Sequence, residues 1–320
     1  MIGALDIRRL KVPQPTRERV LLLVLIGMII VFSSLSPAFL SLANVLNTSR
    51  FFVEVGLIAL GMTLIIITGG IDLSVGAAVG FVTIVVGFSY AAGVPMPLAI
   101  LLGITAGVAL GGFNSFFITV VNLHPLVVTL GTLALFRGLA LVISDADAVS
   151  DFPPWFDYFG QYYLGPVPGQ LFVFIAAVMG VWLILSRTSF GRYVYAIGNN
   201  EEAARFSGVP IRRVKVALYT GIGLLVGIAA LIYMSRVSTA RADSGIGLEL
   251  DVIAAVVLGG ASIYGGSGTI TGTVLGVLII AALRNGLVLA GVSGTWYPFL
   301  LGTLLIGATF INEFFRKREE

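Results

Sequence analysis

The chain is a series of long apolar runs separated by short polar stretches, the runs lying near residues 20–36, 51–68, 75–92, 98–121, 126–144, 170–186, 214–234, 249–262, 269–290 and 296–314. A helix needs about 20 mostly apolar residues to cross the hydrocarbon core of a bilayer. The pattern therefore predicts an all-α integral membrane fold with about ten transmembrane helices. The eighth run is too short to span alone. Its neighbouring glycines, Gly259, Gly260, Gly265, Gly266 and Gly268, point to a tilted, broken or re-entrant segment, because irregular backbone at membrane depth is tolerated where it is buried or lines a cavity. No polar linker divides the chain, so residues 1–320 read as one transmembrane domain.

Charge orients this pattern. Arg8, Arg9, Lys11, Arg17 and Arg19 precede the first run, and Arg316, Lys317 and Arg318 follow the last. Six more cations, Arg187, Arg192, Arg205, Arg212, Arg213 and Lys215, gather between the sixth and seventh runs. Loops rich in Lys and Arg stay on the cytoplasmic side. An even number of spans then puts both termini (residues 1–19 at the front) and the 187–213 loop inside, and the 145–169 loop outside. That outer loop carries Asp145, Asp147, Asp151 and Asp157 and no Lys or Arg. With Phe152, Trp155, Phe156 and Tyr158 beside them, the four aspartates form a candidate docking surface for an external protein.

The polar stretch from Gly191 to Pro210, GRYVYAIGNNEEAARFSGVP, reads as a short self-contained helix on the inner side. Asn199 is placed to cap it with Glu202 three residues on, and Glu201 and Glu202 lie in the first turn, where the helix dipole favours anions. Gly208 and Pro210 end it. The rod from Asn200 to Ser207 offers Ala203 and Ala204 as a low-profile face and Phe206 as a knob, which suits a partner's groove.

Glu202, Ala203, Ala204 and Gly208 resemble the EAA...G loop of importer-type ABC permeases. GRYVYAIGNNEEAARFSGV, GGIDLSVG (Gly69–Gly76) and AAVVLGGASIYGGSGTITGTVLG (Ala254–Gly276) are similar to the ribose, xylose and galactose permeases of bacterial monosaccharide ABC importers, from about Asn44 to about Ile311. Sugar permeases often carry two glycines where this chain has Gly198, Asn199 and Asn200. The resemblance implies a type II ABC importer-like permease in the bacterial cytoplasmic membrane. It implies that Glu201, Glu202, Ala203, Ala204, Phe206 and Gly208 dock on a separate cytoplasmic ATPase, which holds the ATP and Mg. It also implies an external (periplasmic or extracellular) sugar-binding protein and a second permease copy or homologue. No cofactor is expected on the chain itself, nor any nucleic-acid partner.

Composition narrows the chemistry. Of the 320 residues 58% are hydrophobic and 11% charged, with one histidine and no cysteine. There is no GxxxxGK[ST] loop, so ATP hydrolysis by the P-loop mechanism is excluded. His124, before Pro125, reads as a helix cap. The net charge of +3 sits at inner loops and termini, as positive-inside topology requires, and needs no nucleic acid. Ionisable residues inside spans default to functional candidates: Asp72, also a helix-capping residue, and Arg137 midway along the fifth run. Glu54 and Arg50 fit interfacial snorkelling. Arg284, with Asn285 adjacent, reads as reaching the outer interface or a cavity. A neutral, hydroxylated solute needs amides and hydroxyls along its path, which adds Ser74, Asn114, Ser115, Thr129 and Thr132 as candidates, each equally able to bond helix to helix. The competing readings are the same machine with another cargo, such as branched-chain amino acids, and an ion-coupled secondary transporter.

Overall fold

The computed structural model describes residues 17–319. Arg8, Arg9 and Lys11 lie outside the described residues, as do the side chains of Arg316, Lys317 and Arg318.

Ten helices answer the ten apolar runs: α1 (Arg17–Leu35), α2 (Leu42–Ile67), α3 (Val75–Ala91), α4 (Met96–Thr119), α5 (Pro125–Ser144), α7 (Gly169–Arg187), α10 (Ile211–Val237), α11 (Leu248–Leu258), α12 (Ile270–Leu289) and α13 (Trp296–Glu319). Between α5 and α7 lie the short α6 (Pro154–Gln161) and a hairpin of β1 (Tyr163–Leu164) and β2 (Val167–Pro168). Between α7 and α10 lie α8 (Ser189–Asn199) and α9 (Glu201–Phe206). Seven helices among the described residues are long and apolar enough to cross a membrane, while α3 has 17 residues and α11 has 11. The chain is a multi-pass membrane protein.

Local chemistry places the boundaries. Ser41 caps α2 by accepting from Asn44 N, and Thr269 caps α12 by accepting from Gly272 N at 3.0 Å. His124 caps α5 as the sequence predicts, accepting from Leu126 N at 3.3 Å with Pro125 in the first turn. Proline suits that turn because the missing N–H has no partner there anyway.

The central helix is α2, buried at every position from Val53 to Ile67. In lipid, helices gain little from hiding apolar surface, so close backbone approach carries the packing. The α4–α10 pair shows how: a methyl group on Gly107 would lie 2.5 Å from the Gly223 carbonyl, and one on Gly111 would collide with the Tyr219 carbonyl.

The eighth span is broken, and the break lies on both sides of its helix. From Val237 the chain runs back along α3 without helix: Ala240 pairs with Val149, and Thr83 Oγ1 donates to the Arg241 carbonyl at 3.1 Å. Only then does α11 begin. Gly80 of α3 leaves room for this strand-like stretch, since a methyl there would sit 2.6 Å from the Ala242 carbonyl.

Candidate functional site

The α8–α9 connection forms one end of the molecule. Asn200 is extended (φ −163°, ψ 105°), and its side chain accepts from Ala203 N at 2.9 Å. The cap is therefore Asn200, with Asn199 the last residue of α8. This one-residue shift puts Ala203 at the third helical position, so the expected pairing of Asn199 with Glu202 does not form. Gly208 ends the rod as predicted: its φ is +79°, its amide bonds the Arg205 carbonyl, and Val209 N bonds the Ala204 carbonyl at 3.0 Å. Glu201 binds Lys215 of α10 at 2.7 Å and Arg205 at 3.5 Å, which pins α9 to the membrane domain. The two alanines do not share a face. Ala204 is buried, whereas Glu202, Ala203 and Arg205 are exposed and Phe206 is 84% exposed.

Beneath α9, the three long sequence motifs meet. Gly266 N donates to the Ile67 carbonyl at 2.9 Å, and Tyr195 Oη of α8 donates to the Gly268 carbonyl at 2.7 Å. A methyl on Gly198 would collide with the Ile67 carbonyl and lie 2.6 Å from Gly266 N. The turn after α2 and the turn after α11 are thus both seated on α8, main chain against main chain. Burial pushes the Tyr195 phenol above its ordinary value, because ionisation would strand a charge away from water.

Four of the membrane-depth polar residues, Asp72, Ser74, Asn114 and Thr129, gather around the α2–α3 turn. Asp72 Oδ1 accepts from Ser74 N at 2.9 Å and from Ser74 Oγ at 2.6 Å, and Asn114 Nδ2 donates to Ser74 Oγ at 2.9 Å. Thr129 Oγ1 donates to the Ile71 carbonyl at 3.1 Å, Thr132 Oγ1 to the Thr129 carbonyl, and Ser115 Oγ to the Gly112 carbonyl. The void beside Asp72 measures about 10 Å³, room for one water at most. Asp72, Ser74, Asn114 and Thr129 tie the α2–α3 turn to α4 and α5, whereas Ser115 and Thr132 bond only within their own helices. Arg137 is half-buried, its Nε has no hydrogen-bond partner, and its charge acts on Asp243.

The open space is elsewhere, towards the end that carries α6. A cavity of about 880 Å³ is walled by the first half of α2, the last turns of α10, residues 243–251, the second half of α12 and the start of α13. Glu54 lies on its wall, and this corrects the snorkelling reading: the side chain is 3% exposed and accepts from Arg236 Nε at 2.9 Å. Arg50 instead donates to Tyr163 Oη at 3.0 Å. On the facing wall, Asp251 Oδ1 accepts from Tyr297 Oη at 2.8 Å and Oδ2 lies 3.5 Å from Arg284, which reaches the cavity as expected. Asn44 and Asn285 exchange amide hydrogen bonds at 2.8 and 3.1 Å. Arg236 and Asp251 are the residues that sequence reasoning missed. Their signal was present, since each is a charge at the edge of an apolar run.

In the 145–168 loop, Asp145, Asp147 and Asp151 are exposed and Asp157 is half-buried. The aromatic cluster divides: Phe152 and Phe156 are buried, while Trp155 and Tyr158 are 52% and 60% exposed. Among the described residues no group of acidic or histidine side chains is assembled to hold a metal ion.

Residues 44–309 match a family described as branched-chain amino acid transport system / permease component. The chain is 42% identical over 287 residues to the ribose import permease protein RbsC of Bacillus subtilis (strain 168), covering 89% of each. It is 39% identical over 295 residues to the autoinducer 2 import system permease protein LsrD of Escherichia coli (strain K12), covering 90% of this chain and 89% of that one. No solved structure matches.

Proposed function

Because the chain belongs to the family of branched-chain amino acid transport system permease components, we propose that it is the membrane subunit of an ATP-driven importer that carries a monosaccharide into a bacterial cell. The family description names amino acids. The import permease at 42% identity over 89% of this chain is named for ribose, and likeness over that length speaks more closely to cargo than a family-wide label.

One observation carries the mechanism: α9 presents Glu202, Ala203 and Phe206 outward while α8 beneath it is locked to two membrane turns. An ATPase that closes on binding ATP and Mg would push on α9, and the push would reach α2 and α11 through the Gly198 contact. Glu201, Ala204 and Gly208 act from the inner side, by pinning, seating and ending the rod. The partners are a cytoplasmic ATPase, a second permease copy or homologue, and an external sugar-binding protein that meets Asp145, Asp147 and Asp151. Asp72, Ser74, Asn114, Ser115, Thr129, Thr132 and Arg137 belong to a packed relay along the pathway that opens only when the turns move. The protein sits in the cytoplasmic membrane with both termini inside.

The experiment is deletion of the gene in its host, followed by uptake of labelled ribose, xylose and galactose. Loss of uptake of one sugar is expected; unchanged uptake of all three ends the proposal. Orientation is tested separately. The chain has no cysteine, so Asp151→Cys should react with an impermeant thiol reagent outside intact cells and Glu201→Cys should not.

A further inference from the structure

The acids that line the cavity at the α6 end are each paired with an arginine. Glu54 pairs with Arg236 and Asp251 with Arg284, and Asp243 is held by Arg241 through two bonds of 2.9 Å. Glu54, Asp243 and Asp251 are thus each matched by an arginine, with Arg241 just outside the lining, and Glu249, whose buried Oε2 has no partner, does not line it. A zwitterionic or anionic solute needs an unmatched charge to recognise; a neutral solute needs hydrogen-bonding groups whose fields cancel at a distance. The wall offers such groups. Glu54 uses Oε1 for Arg236, while its Oε2 is buried with no hydrogen-bond partner. A buried acceptor left empty is unfavourable; Glu54 lines the cavity, and its Oε2, now shielded from water, meets a guest there when the side chain turns. Flat apolar surface lies alongside: Arg236 stacks over Phe51 and Tyr233 at 4.8 and 5.3 Å, and Arg284 over Tyr297 at 5.2 Å. The volume of about 880 Å³ falls within the range of small-molecule sites, which combine aromatic walls with a few placed polar groups.

We propose that this cavity is a transient binding site for a neutral polyhydroxylated solute, in which Glu54 Oε2 accepts a hydroxyl hydrogen and the aromatic rings face the solute's C–H surface. The matched arginines make the site reject charged solutes of the same size. The proposal rests on the importer reading above and adds to it a site, its acceptor and the basis of its selectivity.

The test uses the full chain with one cysteine, Ala281→Cys, on the cavity wall, purified into lipid nanodiscs. Neutral, cationic and anionic methanethiosulfonates of similar size report the cavity's field through their labelling rates. The two charged reagents should react within about threefold of each other, because a balanced wall focuses neither sign. At least one of D-ribose, D-xylose and D-galactose should slow labelling, and L-leucine should not. Adding Glu54→Gln should raise the anionic rate about tenfold over the cationic, since Arg236 is then unmatched. The same variant should raise the sugar concentration needed for protection about tenfold, the usual worth of a hydrogen bond to a charged acceptor. If Glu54→Gln does not reach the membrane, Asp251→Asn on the facing wall should give the same swing towards the anionic reagent. Protection by leucine equal to that by sugar, or a parental preference of more than tenfold for either charge, overturns the site. So does sugar protection that Glu54→Gln leaves unchanged. Absence of protection while the host still depends on the chain for sugar uptake removes the site alone; unchanged host uptake of all three sugars removes the importer reading.

Discussion

Beneath α9, which the Glu201–Lys215 pair pins, α8 is seated mainly by main chain against main chain: Gly198 against the Ile67 carbonyl and Gly266 against the same carbonyl at 2.9 Å. At the cavity end, side chains do the holding: Glu54 with Arg236, Asp251 with Arg284 and Tyr297, Asn44 with Asn285. The difference fits the roles proposed for the two ends. Backbone in contact with backbone has no rotamers to absorb a displacement, so it passes on a push. Paired side chains around a void can rotate, exchange partners and admit a guest. One end is built to be stiff and the other to be adaptable.

The largest expected effect lies at the adaptable end. Glu54→Ala strands a mostly buried arginine and should lower stability by about 3–5 kcal/mol, whereas Glu54→Leu combined with Arg236→Met should cost far less, because an apolar pair of similar volume replaces a buried ion pair almost without loss. Thermal unfolding of the singles and the double in detergent decides this. A double variant as unstable as the singles would mean that the pair is not the holding device.

Next comes the stiff end. Gly198→Ala places a methyl where only main chain can yield, and about 1–3 kcal/mol of overpacking is expected. Uptake should fall much more than membrane abundance, since α8 is displaced from both turns. A variant with parental uptake would show that the push travels by another route.

Phe206→Ala sharpens the comparison from outside. The side chain is 84% exposed, so stability should change by less than about 0.5 kcal/mol, while ATPase capture falls tenfold or more if Phe206 anchors the contact. Ala204→Trp behaves oppositely, because Ala204 is buried: it should disturb the seating of α9 before any partner arrives. Unfolding and co-purification measured together separate the two.

The smallest effect is that of Tyr195→Phe, which removes the bond to the Gly268 carbonyl and should cost about 1 kcal/mol. Its pH dependence has a definite sign. The phenol is raised above its ordinary value of 10.0 by burial, so the folded protein holds the proton more tightly than the unfolded chain. The contribution is complete below about pH 10 and is lost as pH rises through the folded value. A parental protein that loses this contact between pH 6 and 8 would contradict the assignment.

Much of this was legible in one dimension. The ten runs, the α9 rod ended by Gly208, the His124 cap and the short eighth span all follow from local rules, since hydropathy, capping and positive φ depend on a residue and its near neighbours. The cap slipped by one residue because Asn199 and Asn200 are equally good caps in isolation, and only the packing of α8 on Gly266 decides between them. The partners of charge were hidden for a stronger reason. Glu54 and Arg236 are 182 residues apart and Asn44 and Asn285 are 241 apart. A sequence states that a buried charge must be matched, but which distant residue matches it depends on how the helices pack. The same holds for open space. The hydroxyls and amides near Asp72 looked like a path because they were polar and deep, yet most of their hydrogen bonds are made to one another and to nearby backbone, with Asn114 Oδ1 the exception. The cavity arises where five elements fail to fill the space between them, a property of their arrangement that no single segment carries.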